Sequence, residues 1–144
     1  AGEREYPQKL NGLLQTQFEL MRISEEGASK GRGTAARNLA LNTNFTVLTD
    51  HNELTEIVTK TYKLKVNAKT LGAKADEDTD EALADAEASN RYDEVMTEIL
   101  QQSIDSYKEE LSTLYDQAKS TKEKALLQKS FEHMELLSKS ATQQ

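Results

Sequence analysis

The sequence predicts an all-α protein, folded as an up-and-down four-helix bundle that forms a single domain over residues 1–144. Apolar side chains recur at three- and four-residue steps in four long stretches, which is the spacing of one helix face. Residues that interrupt helices are few, because the chain has one proline and six glycines. Each stretch is polar on its other side, so the helices must bury their apolar faces against one another.

The first helix is predicted from Pro7, which is preorganised for a first helical turn, to about Ala28. Its apolar stripe comprises Leu10, Leu13, Leu14, Phe18 and Met21. Glycines at 27, 31 and 33 then allow a turn. Thr34 is expected to cap the second helix, because its side chain can accept the first free amides.

The second helix is expected to bury a stripe of Leu41, Phe45, Leu48, Leu54 or Thr55, Val58 and Tyr62. Between Val58 and Val66, however, every second position carries Val58, Lys60, Tyr62, Leu64 and Val66, and only threonine and lysine lie between them, a pattern that also fits a strand. A helix is favoured up to Tyr62, because no second alternating segment is available to pair with a lone strand.

Residues 65–90 form a long connection, and Asp78 with Glu81 predicts a short helix near 79–88 within it. Asn90 with Asp93 marks the start of the third helix. Its stripe is Tyr92, Met96, Ile99, Leu100, Ile104, Tyr107, Leu111, Leu114 and Ala118. Ser120 with Glu123 forms a capping box that opens the fourth helix. The fourth stripe is Leu127, Phe131, Met134, Leu137 or Ser138, and Ala141.

The composition excludes several classes of function. Cysteine is absent, which removes disulfides, thiolate metal sites and cysteine nucleophiles. The net charge of −7 opposes contact with phosphate backbones, so nucleic acid is not an expected partner. No stretch approaches the roughly 18 apolar residues of a membrane span, and the N-terminus lacks the pattern of a signal peptide.

The two histidines are the main candidates for chemistry, because each directly follows an acid. A metal site would use Glu19, His51, Glu132 and His133 to hold iron or another transition metal. Adjacent acid and histidine side chains point about 100° apart on a helix, and the Glu-x-x-His motif of two-metal bundles does not occur in the chain. The residues therefore favour the alternative, in which the histidines are structural and there is no cofactor.

Two weaker patterns suggest other ligands. Asp76, Asp78, Asp80 and Glu87 match ligand positions of a calcium loop, but Glu81 occupies the position that requires glycine. The acids therefore favour a charged helix start. Three tyrosines of the third helix, Tyr92, Tyr107 and Tyr115, are expected to pack in the core with their hydroxyls at its rim, or to line a pocket for an apolar ligand.

Several short motifs match one family. They are Phe18-Glu19-Leu20 in the first helix, Thr49-Asp50-His51 followed by Glu53-Leu54, Tyr92-Asp93, and Phe131-Glu132-His133-Met134. Over residues 6–141 the chain resembles a bacterial cell-envelope domain family of unknown function, also described as predicted outer-membrane proteins, with a ferritin-like four-helix bundle. Where that family carries Asp-Asp-His in the third helix, this chain has Gln102, Ser103 and Ile104, and Met134 replaces a second terminal histidine.

The resemblance implies export to the periplasm or cell envelope, with a signal segment or lipid anchor upstream of Ala1, although the residues alone also fit a cytoplasmic protein. The departures imply that part of any metal-binding set is lost. The expected function is a non-catalytic helical bundle that binds a protein or a small apolar molecule. The alternative is a ferritin-like metal-binding protein with oxidoreductase or metal-storage activity.

Overall fold

The computed structural model describes residues 2–142, with side chains described from Arg4 to Ser140. Within that range the chain forms six α-helices and no strand, which confirms the all-α prediction. The helices are α1 (Gly2–Lys30), α2 (Thr34–Glu56), α3 (Ala68–Leu71), α4 (Glu77–Ala88), α5 (Tyr92–Gln117) and α6 (Thr121–Thr142). None of the helices in this range is long and apolar enough to span a membrane.

The four long helices are α1, α2, α5 and α6, and their side-chain contacts fix their directions. The end of α1 meets the start of α5 where the Tyr92 hydroxyl donates to Glu26 at 2.8 Å. The start of α1 meets the end of α5 where Lys9 contacts Gln117 at 3.3 Å. These helices are therefore antiparallel, and α2 also runs antiparallel to α1 after a tight turn.

Since α2 and α5 both oppose α1, they run parallel to each other. The strictly alternating order predicted for the long helices is therefore wrong at this step, because alternation requires α2 and α5 to run in opposite directions. The physical reason is the long connection between them, which returns the chain along the length of the molecule before α5 begins.

The connection lies along α1 and contains α3 and α4. Helix α4 agrees with the predicted short helix near 79–88, whereas α3 is not predicted by the sequence. The contacts of the connection with α1 include Lys74 with the Gly12 carbonyl, Asp80 with Arg22 and Glu87 with Lys30, at 2.9, 2.7 and 3.2 Å. Exposed ion pairs of this kind contribute roughly 0–1 kcal/mol each. Burial of Leu83 and Ala86 is therefore the main attachment of α4 to the core.

The turn between α1 and α2 is held by a residue from another helix. The Asp93 carboxylate accepts hydrogen bonds from the backbone N–H groups of Arg32 and Gly33, both at 2.8 Å. Gly33 occupies the N-cap position of α2 and supplies no side-chain cap. The prediction that Thr34 caps this helix is wrong, because Thr34 is already the first helical residue. Asp93 instead holds the two turn residues that precede the helix.

The segment with alternating polarity continues the helix rather than forming a strand. A π-helical turn, Ile57–Thr61, follows α2 directly. Lys63 then adopts a φ of 58°, a left-handed conformation that ends helical hydrogen bonding. Beyond it, residues 64–67 are irregular, so the helical interpretation holds only as far as the π-helical turn.

Apolar side chains from the long helices form one core, as expected for the stripes of the first, third and fourth helices. The core includes Leu10, Leu13, Leu14, Met96, Leu100, Ile104, Tyr107, Leu111, Leu114, Leu127 and Met134. Phe18, Met21, Ile99, Phe131 and Ser138 of the predicted stripes are only partly buried. The side chain of Ala141 lies outside the described residues.

The buried face of α2 differs from the prediction. Leu41, Phe45 and Leu48 are 54%, 75% and 38% exposed. The buried residues of α2 are Ala36, Leu39, Ala40, Thr43, Val47, Asp50, His51 and Leu54. The large apolar residues suggested the wrong face, because the inward face is built largely from small and polar side chains. Phe45→Ala is therefore expected to cost about 0.5 kcal/mol or less, not the 3–5 kcal/mol of a buried phenylalanine.

Candidate functional site

A cluster of polar side chains lies in the middle of the apolar core and receives residues from all four long helices. Its members are Gln17 of α1, Asp50 and His51 of α2, Tyr107 of α5, and Ser130 and His133 of α6. All except His133 are buried. Buried polar groups persist only when their hydrogen bonds are satisfied, so the contacts of each member decide what the cluster can do.

One chain of hydrogen bonds crosses the core through Gln17. The His51 imidazole donates from Nδ1 to Gln17 Oε1 at 3.0 Å, and Gln17 Nε2 donates to the Tyr107 hydroxyl at 2.8 Å. Ser130 also hydrogen-bonds the Tyr107 phenol. Three of these four side chains are uncharged under all ordinary conditions, and burial lowers the pKa of the fourth, His51, so that it is neutral as well.

A second contact joins α2 to α6. The His133 imidazole donates from Nδ1 to Asp50 Oδ2 at 3.2 Å, and Asp50 is fully buried, whereas the His133 side chain is 37% exposed. The other carboxylate oxygen, Asp50 Oδ1, is buried and has no hydrogen-bond partner among the described residues. A carboxylate in this environment is costly to desolvate, and His133 is its main compensation.

Burial of His51 makes the stability of the protein sensitive to acid. An unfolded His51 takes up a proton near pH 6.5, whereas burial lowers the pKa of the folded residue. Below that pH the unfolded chain binds more protons, so the free energy of unfolding is expected to fall with falling pH. His51→Leu should reduce this slope, by up to about 1.4 kcal/mol per pH unit, in urea titrations between pH 7 and pH 5. Identical slopes for the two proteins would contradict this account.

The residues predicted as metal ligands are not brought together. Glu19 pairs with Arg22 at 2.7 Å and faces the connection, where it also accepts from the Asp76 backbone N–H. Glu132 is exposed on α6 and accepts from Gln128. His51 and His133 each bond a different acceptor. Among the described side chains, no group of three or more histidine, aspartate or glutamate residues is arranged to hold a metal ion.

Among the described residues, the acids that match calcium-loop positions are not arranged to hold a metal ion either. The Asp76 carboxylate caps α4 by accepting from the Asp78 backbone N–H at 2.9 Å. Asp80 pairs with Arg22 and Glu87 with Lys30, and all of the acids after Asp76 lie on the helix itself. The structure therefore follows the alternative interpretation of these residues, a charged helix start.

A second buried carboxylate, Glu123, lies at the end of the molecule where α1 and α6 begin. It accepts hydrogen bonds from the hydroxyls of Tyr6, Tyr62 and Ser120, at 2.9, 2.8 and 3.0 Å. The Ser120 hydroxyl in turn accepts from the Glu123 backbone N–H at 3.0 Å, as the predicted capping pair requires. The sequence identified the cap but not the two tyrosines, which come from distant segments.

No protein-family model, curated protein or solved structure matches this chain. Among the apolar surfaces in the described part of the molecule, one on α2 and one between α5 and α6 differ in shape.

The first surface lies on α2 and continues onto α6. We call Asn38, Leu41, Phe45, Leu48 and Asn52 the α2 seam, because all five side chains are exposed along one line of the helix. Beside it, Phe45 and Leu136 border a groove of about 400 Å³ that also contacts His133. Leu136 is 66% exposed, so the apolar area continues across both helices.

The second surface is a groove between α5 and α6 with a volume of about 360 Å³. Its lining includes Leu111, Tyr115, Leu127 and Phe131. Of the three tyrosines considered in the sequence, only Tyr115 reaches this groove, since Tyr107 is buried in the polar cluster and the Tyr92 hydroxyl bonds Glu26. Its size is at the lower end of the range for small-molecule sites.

Proposed function

We propose that the protein is a non-catalytic helical module that acts by binding a protein partner through the α2 seam. The observation that carries this proposal is the exposure of Leu41, Phe45 and Leu48 on one line of a helix. Burying these side chains in the core of their own chain would have stabilised the fold, so their position on the surface fits a role outside it.

The polar cluster supports the non-catalytic part of the proposal. Gln17, Asp50 and Tyr107 are at most 1% exposed, so a substrate cannot reach them without opening the core. Each hydrogen bond in the cluster joins two different helices. The chemistry of this arrangement is therefore to fix how the helices pack, because a shifted helix would leave buried groups unpaired.

A ferritin-like fold and a location in the periplasm or cell envelope are part of the same proposal. A ferritin-like arrangement is supported by the single long connection between α2 and α5, since bundles of that type have one such crossover. Membership of the cell-envelope family, and with it a periplasmic or envelope location, is supported by the short sequence motifs around Asp50, Tyr92 and His133.

An apolar fluorescent dye of the anilinonaphthalene sulfonate type tests the binding surface, because it becomes bright on exposed apolar patches. At low protein concentration the native protein is expected to bind the dye. Leu41→Ser combined with Phe45→Ser should remove most of the fluorescence while leaving the helical circular dichroism and the melting temperature nearly unchanged, since neither side chain is buried.

Phe131→Ser is the matched control, because it alters the groove between α5 and α6 and leaves the α2 seam intact. Fluorescence that survives the seam variant but is lost in Phe131→Ser would contradict the proposal. It would assign binding to the groove and to a small apolar ligand.

A further inference from the structure

The α2 seam has the spacing of a helix-pairing surface. Its members follow one another at steps of three, four, three and four residues: Asn38, Leu41, Phe45, Leu48 and Asn52. This is the seven-residue repeat with which one helix packs along another. The seam is separate from the face that α2 buries in its own core, which runs through Ala36, Ala40, Thr43, Val47 and Leu54. The helix therefore presents a second packing face to the outside.

The charge distribution along α2 suggests what packs there. Residues 38–49 contain no charged side chain, although 30% of the whole chain is charged. Two copies of a protein with a net charge of −7 repel each other over most of their surfaces. The seam is a surface at which two copies can meet without bringing like charges together. A strongly charged partner would have no opposite charge to pair with along it.

We infer that a second copy of this chain packs along the α2 seam in the antiparallel direction, with the two-fold axis near Phe45. This inference rests on the proposed binding role of the seam and names the partner. Asn38 and Asn52 are equally far from Phe45 in sequence, so an antiparallel pair brings the Asn38 amide of one copy opposite the Asn52 amide of the other.

The seam is long enough for a reversible dimer. Its 15 helical positions extend over about 21 Å at 1.5 Å per residue, and Leu136 adds apolar area beside it. This is a small interface compared with the roughly 800 Å² per partner of stable complexes, so a dissociation constant on the order of micromolar is expected.

Sedimentation equilibrium of the complete chain over a range of concentrations tests the inference. The mass is expected to rise from 16.1 kDa toward twice that value as the concentration increases. Phe45→Glu should weaken association by about 30-fold or more, because it removes the central anchor and places two carboxylates at the axis. Thr113→Glu, on the exposed side of α5, is the control with the same charge change and should dimerise like the native chain.

Single cysteines then test the direction, since the chain contains none of its own. Asn38→Cys and Asn52→Cys proteins, each kept separately under oxidising conditions, should stay largely unlinked. Mixing the two should give a disulfide-linked heterodimer, because antiparallel packing brings position 38 of one chain to position 52 of the other. Disulfide-linked homodimers in each separate protein, with no linked heterodimer after mixing, would overturn the antiparallel arrangement.

The outcomes separate this inference from the proposed function. A mass of 16.1 kDa at every concentration, or dimers unaffected by Phe45→Glu, would overturn pairing of two copies along the seam. A monomer whose dye binding still depends on Leu41 and Phe45 would leave the seam as a surface for a different protein. Dimers that persist in Phe45→Glu, together with dye binding that is lost in Phe131→Ser but not in the seam variant, would contradict both the pairing of two copies and the binding role of the seam.

Discussion

Leu111→Ala is expected to lower the free energy of unfolding by about 2–5 kcal/mol, measured by urea denaturation. Leu111 lies on the buried face of α5, in the C-terminal half of the helix, and is 1% exposed. Truncation removes its buried methyl groups from contact with the core and leaves a cavity that the surrounding helices can fill only in part. Because a domain of this size is stable by roughly 5–15 kcal/mol, the loss would be a large share of the total.

Leu136→Ala is the matched control, because it makes the same chemical change at a position that is 66% exposed. Its effect at low protein concentration should lie within about 0.5 kcal/mol. A similar loss for the two variants would mean that the assignment of buried and exposed faces on α5 and α6 is incorrect.

Alkaline pH is expected to unfold the protein cooperatively. Burial raises the pKa values of Tyr6, Tyr92 and Tyr107, and raises that of Tyr62 to about 12. In the unfolded chain these phenols ionise near pH 10. Above pH 10 the unfolded chain therefore loses protons that the folded protein retains, so each further increase in pH favours unfolding. Circular dichroism and phenolate absorbance at 295 nm, followed from pH 9 to pH 12, should change together.

Tyr107→Phe isolates the contribution of the most deeply buried phenol. Above pH 10 the variant should lose stability less steeply than the native protein, by about 1.4 kcal/mol per pH unit. At neutral pH it should be about 1–3 kcal/mol less stable, because Gln17 Nε2 loses its hydrogen-bond acceptor. Absorbance from more than one phenolate near pH 10 in a protein that is still folded would show that these four tyrosines are accessible to solvent, since Tyr115 is the only other tyrosine in the sequence.

Most of the helices could be predicted from the sequence, because periodicity and capping residues are local signals. The capping pair at Ser120 and Glu123, the short helix in the connection and the stripe of α5 follow from neighbours within about four residues. The relative direction of α2 and α5 could not be derived in this way, because it depends on where residues 62–91 lie in space.

The buried face of α2 was mispredicted for a physical reason. Its inward side carries Asp50 and His51, and contacts with the other helices make burial of these two residues tolerable. Those contacts come from Gln17 and His133, which are distant in sequence. The two histidines stand out in the sequence, but their partners are 34 and 83 residues away and cannot be found from local spacing.

The long connection between α2 and α5 has a consequence for how the chain folds. Each helical hairpin, α1 with α2 and α5 with α6, can form from residues close in sequence, whereas the contacts between hairpins require closure of a much longer loop. We therefore expect the hairpins to form early and to dock late. The bonds from Gln17 to Tyr107 and from Asp50 to His133 both cross between hairpins. They can therefore form only when the hairpins dock, and a misaligned pair of hairpins would leave these buried groups unpaired.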